Sequence, residues 1–504
     1  MSDAWEAVIG LEVHAQLKTR SKLFSPCPVA PSDAEGQPAS APEDVWMADG
    51  AQADEAAEPN LALDPVTLGL PGTLPVPNAE AIRLAVRLGL ALGCDIDLAS
   101  RFDRKHYTYP DLPRGYQITQ LHRPICQGGA VPLGGGRMSR LARIHLEEDA
   151  GKTIHDARAG LSRVDYTRAG VALVEIVGEP DLRTPEEAVS YLKRLHQLVT
   201  WLGVCDGNME RGNFRCDANV SVRRPGGPLG TRTEIKNVNS FRFVERAIAS
   251  EIGRQIAVLE GGGKVTQETR GWDEATGRTR SLRSKEEAHD YRYFPDPDLA
   301  PLHLAPAFVE AERAALPELP HARAARYEAM GVAALDAEVL TQTPERGLYF
   351  EAVVARAGDP KLAANWMLND LFGALTRAGR DLADAPVTAE ALGALVSLLR
   401  DRTLNSKLAK ACFAEMFAAP PDRPVSPKAW AAAAGGQIAD EGALVAAIDA
   451  VLDRNAPQVA QWVEGKDKVI GFLVGQVMRE TKGRAAPDAL NRLLLTRLEA
   501  RRPS

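Results

Sequence analysis

At 504 residues, with 45% hydrophobic and 25% charged side chains, the chain has the composition of a folded protein too long for one core, and we expect three domains. A formal net charge of -7 excludes attraction of nucleic acid by the whole-molecule field and leaves only a local basic face for such contact. The scattered Cys27, Cys94, Cys126, Cys205, Cys216 and Cys412 form no C-x-x-C pair, no secretory start precedes Trp5, and no apolar run approaches the roughly 18 residues of a membrane helix, so a reducing cytoplasm without membrane contact is expected.

The first element, Ala7–Leu17, alternates strictly. Ile9, Leu11, Val13, Ala15 and Leu17 fall on one side of a strand, and Glu12, His14 and Gln16 on the other. The polar side is either a half-exposed strand face or a carboxylate and an imidazole within reach of one ion. An acidic, Pro- and Ala-rich stretch, Pro28–Pro59, follows and reads as a long loop. Further on, Arg101–Gln120 interleaves Arg104, Lys105, His106 and Arg114 with Tyr107, Tyr109 and Tyr116. Aromatics between cations suit a nucleotide end, while the prolines equally allow a tyrosine-rich packing loop.

The alternation then recurs. Arg143–Asp149 places His145 and Glu147 on one side of a strand and crowds Glu148 and Asp149 at its end. In Leu173–Val177 a lone Glu175 interrupts aliphatic residues, so it is either on an exposed edge or needs a partner or an ion. Arg215–Arg223 sets Arg215, Asp217, Asn219, Ser221 and Arg223 against Cys216, Ala218, Val220 and Val222, and Thr233–Ser240 adds Glu234, Lys236 and Asn237. Several strands with one dry and one carboxylate-, amide- and cation-rich face predict a sheet lining a polar cleft. Such carboxylate density suits a hard cation shared with phosphate oxygens. His14 is an unusual magnesium partner, which leaves it outside the ligand shell or implies a softer metal. Ala150-Gly151-Lys152-Thr153 ends like a phosphate loop, but Leu146 stands where its first glycine belongs.

Asp290–Asp298 closes this region with a second tyrosine-rich cluster. Beyond Leu299 the pattern turns helical, as in Ala322–Met330, Leu362–Leu375 and Ala389–Leu399. After the turn cluster at Ala418–Pro424, a small helical tail carries Lys466, Lys468, Arg479, Lys482, Arg484, Arg492, Arg497, Arg501 and Arg502. These form either a solvated face or one that tracks phosphates. Gly471 and Gly475, four apart, are read as a site of close helix packing. The expected fold class is α+β: a cradle on a mainly antiparallel sheet over residues 1–297, then all-α domains over 298–400 and 401–504.

Taken together, Ile9-Gly-Leu-Glu-Val-His14, Ser21-Lys-Leu-Phe24, Leu70-Pro-Gly72, Tyr109-Pro-Asp111, Glu147-Glu-Asp-Ala-Gly-Lys152, Val174-Glu-Ile-Val177, Arg215-Cys-Asp-Ala-Asn219 and Asp290-Tyr-Arg-Tyr-Phe-Pro295 occur in an order that resembles the B subunit of aspartyl/glutamyl-tRNA amidotransferases over essentially the whole chain. The resemblance implies a kinase cradle, a helical domain and a tail that contacts transfer RNA. It implies ATP-dependent phosphorylation of the side-chain carboxylate of misacylated Glu-tRNA or Asp-tRNA, followed by displacement of phosphate by ammonia. The implied partners, in a heterotrimer, are the amidase, or A, subunit that supplies the ammonia and a small C subunit. On the matching positions His14, Glu148 and Glu175 would hold magnesium with Glu12 nearby, Glu147 being the neighbour that could replace Glu148, and Lys105, Tyr109 and Tyr116 would line the substrate end. Arg114, Asp217, Asn219, Glu234 and Lys236, from the polar faces above, complete the expected ATP- and substrate-binding set. Some members carry zinc-binding cysteines after the Ser-Lys-Leu-Phe segment; only Cys27 remains here, so no structural zinc is expected. Two other readings stay open: a non-catalytic tRNA-binding adaptor, and a ligase for a free small carboxylate whose helical end serves oligomerisation.

Overall fold

The computed structural model of the chain describes residues 4–29, 59–156, 160–236, 238, 240–284, 290–435, 440–466, 468–481 and 483–502. Most of the acidic stretch expected to be a loop, together with Asn237 and Lys482, lies outside the described residues.

Strand β1 (Glu6–Gln16) forms the middle of the fold because its alternation suits a two-sided sheet: Ile9, Leu11, Val13 and Ala15 are fully buried, while Glu12 and His14 face the other way. Within the first unit, β2 (Asp103–His106) pairs with β3 (Tyr116–Thr119) in a small separate sheet. The main sheet runs β9 (Arg278–Ser284), β8 (Glu268–Asp273), β7 (Thr233–Lys236), β6 (Phe214–Arg223), β1, β5 (Ala172–Gly178) and β4 (Arg137–Glu148), then short strands at Cys126–Gln127 and Asp95–Ile96. All of its pairings are antiparallel except β7 with β8. The α+β, mainly antiparallel expectation agrees with this arrangement.

Helices α1 (Ala79–Ala91), α2 (Pro185–Trp201) and α3 (Phe241–Glu260) start at the side-chain caps Asn78, Thr184 and Ser240. Their apolar stripes join the dry sheet face in one core, where Leu84, Leu195 and Ile248 are buried with Ile9, Val174 and Val220. Burying each such side chain contributes about 1.5–3 kcal/mol. Gly89 sets how closely α1 approaches the sheet, since a Cβ there would lie 2.4 Å from Cys126 Sγ. Behind β7 to β9, Glu251 of α3 is fully buried and accepts hydrogen bonds from Thr233 Oγ1, Gln255 Nε2, Thr279 Oγ1 and both Arg254 nitrogens that face it.

The first compact unit runs to Leu319, past the boundary expected near 297, because Leu299, Leu304 and Val309 bury their side chains in the sheet core. The second unit, Pro320–Ser504, is helical and shows two cores among the described residues. One spans Tyr327 to Ala431, and the other, from Leu444 to Leu498, lies in the expected tail. In the tail Arg492, Arg497 and Arg501 pair with Glu441, Asp449 and Asp453 and so brace the helices, while Lys468 and Arg479 lie exposed on the helix carrying the two glycines. Those glycines do not serve close packing: an added Cβ at Gly471 or Gly475 would meet nothing within 4 Å. No helix among the described residues is long and apolar enough to cross a membrane.

Candidate active site

The polar face of the sheet gathers its charges in cross-strand rows. His14 of β1 lies opposite Glu175 of β5, and Glu175 lies opposite His145 of β4. Glu147 is two pairs further along β4, opposite Leu173 and on the same face as His145, and reaches back toward His14. His14 Nε2 is 3.4 Å from Glu147 Oε1 and 3.6 Å from Glu175 Oε2. Ligand atoms from these three residues lie within 4.8 Å of one another. His145 Nε2 is 3.2 Å from Glu175 Oε2, so this buried ring orients the carboxylate from behind.

The electrostatics follow from crowding. Burial alone would strip the proton from His14, but hydrogen bonds to Glu147 and Glu175 outweigh it and push the imidazole up to about 10. Burial likewise works against the charge on Glu147 and Glu175, and the two imidazoles overcome it, holding both carboxyls below the usual range. The His14 ring and the two carboxylates thus favour one another's charged forms, with the His14 proton clamped between them.

A second group continues along the same face. Glu12 lies opposite Asp217 and accepts a hydrogen bond from Asn219 Nδ2 at 2.9 Å. Lys236 Nζ bridges Asp217 Oδ2 at 3.0 Å and Glu234 Oε1 at 3.1 Å, and Thr269 Oγ1 donates to Glu234. Burial, followed by the charges of Glu175, Asp217 and Glu234, raises the Glu12 carboxyl. Glu12, Asp217, Asn219, Glu234 and Lys236 are thus brought onto one surface with His14 and Glu175.

The small sheet supplies the substrate-end candidates. Lys105 Nζ lies 5.1 Å from the Tyr291 ring centre and 5.8 Å from that of Tyr107. Tyr109, Tyr107, Tyr291 and Tyr293 form a file of edge-on rings 5.7–6.0 Å apart. Burial opposes the Lys105 charge, but Glu147, Tyr293 and Glu175 raise its pKa, so Lys105 is in the field of the trio. Tyr116 is placed differently from the expected stacking platform. Arg104 covers its ring at 4.2 Å and Arg114 approaches at 5.4 Å, so it braces two cations.

Glu148 is the expected metal-site residue that the structure sets apart. It shares strand parity with Ile144 and Leu146, opposite to that of His145 and Glu147. Its carboxylate instead pairs with Arg114 and accepts from the Ile118 amide at 2.9 Å, tying β3 and the preceding turn to the end of β4. Glu147 takes its place beside His14 and Glu175. The signal was available in the alternation, which already grouped Glu147 with His145. His145 and the tyrosine pair Tyr291 and Tyr293 are the other groups the expected residue set omitted. The Asp290–Asp298 string pointed to the tyrosines.

Residues 7–310 match the family model of the GatB/GatE catalytic domain, and residues 348–498 match that of the GatB domain. The chain is 49% identical to the B subunit of the aspartyl/glutamyl-tRNA(Asn/Gln) amidotransferase of Alkalilimnicola ehrlichii, covering 98% of this chain and 100% of the relative. Identity to the corresponding B subunits from Thioalkalivibrio sulfidiphilus and Geobacter sulfurreducens is 49% and 48%, over 98% of this chain and 100% and 99% of the relatives. With both domain models matched in order and near-complete coverage on each side, this chain belongs to the family of aspartyl/glutamyl-tRNA(Asn/Gln) amidotransferase B subunits.

Proposed function

We propose that the chain activates the side-chain carboxylate of Glu or Asp carried on a misacylated tRNA, using ATP, so that ammonia converts it to Gln or Asn. The observation that carries this reading is the His14, Glu147 and Glu175 trio on the polar sheet face. A free carboxylate resists ammonia because its leaving group would be oxide, and phosphorylation replaces that with phosphate. A carboxylate oxygen attacks the γ-phosphorus, the bond to the β,γ-bridging oxygen breaks, and ADP leaves with the electron pair. Ammonia then adds to the acyl carbon, the C–O bond to phosphate breaks, and nitrogen gives up its proton as inorganic phosphate departs.

One imidazole nitrogen and two carboxylate oxygens fit a divalent cation, magnesium being the natural partner of nucleotide phosphates. Such an ion, when bound, would neutralise phosphate oxygens. Ligation requires His14 to be neutral, so the proton that clamps the cluster must leave. Lys105 brings a second cation to that end, and the tyrosine file beside it offers apolar faces to the terminal nucleotide of the tRNA. Glu12, Asp217, Asn219, Glu234 and Lys236 flank the trio, where the rest of ATP would lie. We assign the chemistry to residues 1–297 and tRNA contact to the tail, 401–504, whose Lys468 and Arg479 are exposed.

The ammonia comes from elsewhere. All six cysteines are buried, and burial raises each thiol's pKa, which leaves none of them an activated nucleophile for releasing ammonia from glutamine. We assign that role to the amidase, or A, subunit, with a small C subunit completing a cytoplasmic heterotrimer. The test is ATP hydrolysis by the complex purified with its amidase partner, given ammonium and magnesium, with and without Glu-tRNA. Hydrolysis should require the charged tRNA and disappear in Glu147→Ala. Turnover that ignores tRNA or survives that substitution would refute the assignment.

A further inference from the structure

Phosphoryl transfer develops charge on oxygens that a metal ion alone does not surround, and arginine is the side chain whose planar fork matches them. Arg215 stands where such a fork is needed. It lies on β6 opposite His14, so β1 carries His14 between Glu175 on one flank and Arg215 on the other. Its guanidinium makes one hydrogen bond among the described residues, Nη2 to Asp149 Oδ1 at 3.1 Å. The remaining N–H donors bond to no other described residue, and the side chain is 37% exposed.

Asp149 is built to aim that fork. Its carboxylate is 7% exposed. Oδ2 takes both Arg168 Nε at 3.0 Å and Arg168 Nη2 at 2.6 Å, while Oδ1 takes Arg215 and the Ala150 amide. Its main chain is fixed as well: the amide donates to Val171 O and the carbonyl accepts from Gly170 N. One carboxylate thus holds two guanidinium groups and neutralises the charge of one. The excess positive charge sits beside the trio, on the half-exposed arginine.

We propose that Arg215 contacts the phosphoryl group in flight between ATP and the carboxylate, and that Asp149 is the positioning residue that fixes its angle, with Arg168 anchoring Asp149 from the far side. The proposal rests on the carboxylate-kinase reading above. During transfer the N–H donors of Arg215 bind the non-bridging oxygens and gain strength as the bond to ADP breaks. Arg215 neither gives up a proton nor forms a bond to phosphorus.

The experiment measures tRNA-dependent ATP turnover and Mn2+ affinity of the complex with its amidase partner, for wild type, Arg215→Ala, Arg215→Lys and Asp149→Asn. Arg215→Ala should lower kcat about 10²–10³-fold, the range for losing one preorganised charge-stabilising donor. Mn2+ affinity should stay within a few-fold. Added guanidinium ion at millimolar concentration should restore part of the turnover, which no purely structural role would allow. Arg215→Lys should recover less than a tenth of the wild-type rate, because the fork is lost while the charge remains, and Asp149→Asn should lower kcat with little change in the KM for ATP. Turnover within threefold of wild type in Arg215→Ala, or in Arg215→Lys if the alanine variant does not fold, would overturn the proposal. A parallel loss of Mn2+ binding would overturn it too. Wild-type hydrolysis indifferent to charged tRNA would instead remove the kinase reading itself.

Discussion

Glutamates 147 and 148 are adjacent in sequence and opposite in role, which makes the pair a sensitive test of the site. Glu147→Gln takes one of three donors from the trio. Losing even an orienting partner outside a metal shell costs about 10–100-fold in affinity, so losing a ligand should exceed about 100-fold. Glu148→Gln leaves the trio whole but strands Arg114, whose side chain is 10% exposed, without its countercharge. Breaking a buried pair from one side costs about 3–5 kcal/mol. The first unit ends at Leu319, and at about 2.1 cal/mol/K per residue its unfolding entropy turns that loss into a midpoint lowered by roughly 4.5–7.5 °C. Titration with Mn2+ followed by electron paramagnetic resonance, alongside thermal unfolding of the same samples, separates the two effects. Strong metal loss in Glu148→Gln with little in Glu147→Gln would refute the placement.

Other substitutions probe the surroundings. Lys105→Met removes a cation from the field of Glu147 and Glu175, so Mn2+ should bind several-fold tighter while turnover falls; weaker binding by calorimetry would contradict the electrostatic picture. Glu251 has its carboxyl held below the usual range: burial opposes this, but the hydrogen bonds from Arg254, Gln255 and Thr233 prevail. Its folded pKa being the lower one, its stabilisation is present above the unfolded carboxylate pKa of about 4.3 and fades as pH falls below it. Glu251→Gln should therefore cost about 3–5 kcal/mol in urea unfolding at pH 7 and progressively less toward pH 3; an equal loss at both would count against it. Gly475→Ala fills open space on a regular helix and should stabilise the tail by about 0.4–1 kcal/mol, whereas a destabilised tail would mean that something packs there.

Local pattern disclosed the architecture of the sheet because its period of two is written into each strand. The dry residues of β1 and the polar sequence from Glu12 to His14 could be read from eleven residues. The same parity separates Glu147 from Glu148, yet matching short strings by eye picks out a crowded Glu-Glu-Asp end without saying which carboxylate points where. What decides it is the pairing of Glu148 with Arg114, 34 positions away, which no local pattern encodes. Tyr116 illustrates the same limit: an aromatic between cations reads as a nucleotide platform until two arginines are seen to occupy its faces. The end of the first unit was obscured for a related reason. Beyond Leu299 the chain turns helical in composition, but its next apolar residues still fold back on the sheet.

The trio sits on β1, β4 and β5, each paired along its length with a neighbour, whereas Lys105 and the tyrosine file lie on and beside a hairpin of four-residue strands and a two-residue edge. Amide hydrogen exchange should resolve these as different layers of persistence. Protons on β1 should exchange only when the whole unit opens, while those of the hairpin should exchange through smaller and more frequent excursions. On the proposed function, the hairpin could then open to an acylated RNA terminus without loosening the trio. Adding Mn2+ should slow exchange throughout the central strands together, because a ligand bound only by the folded sheet raises the free energy of its global opening.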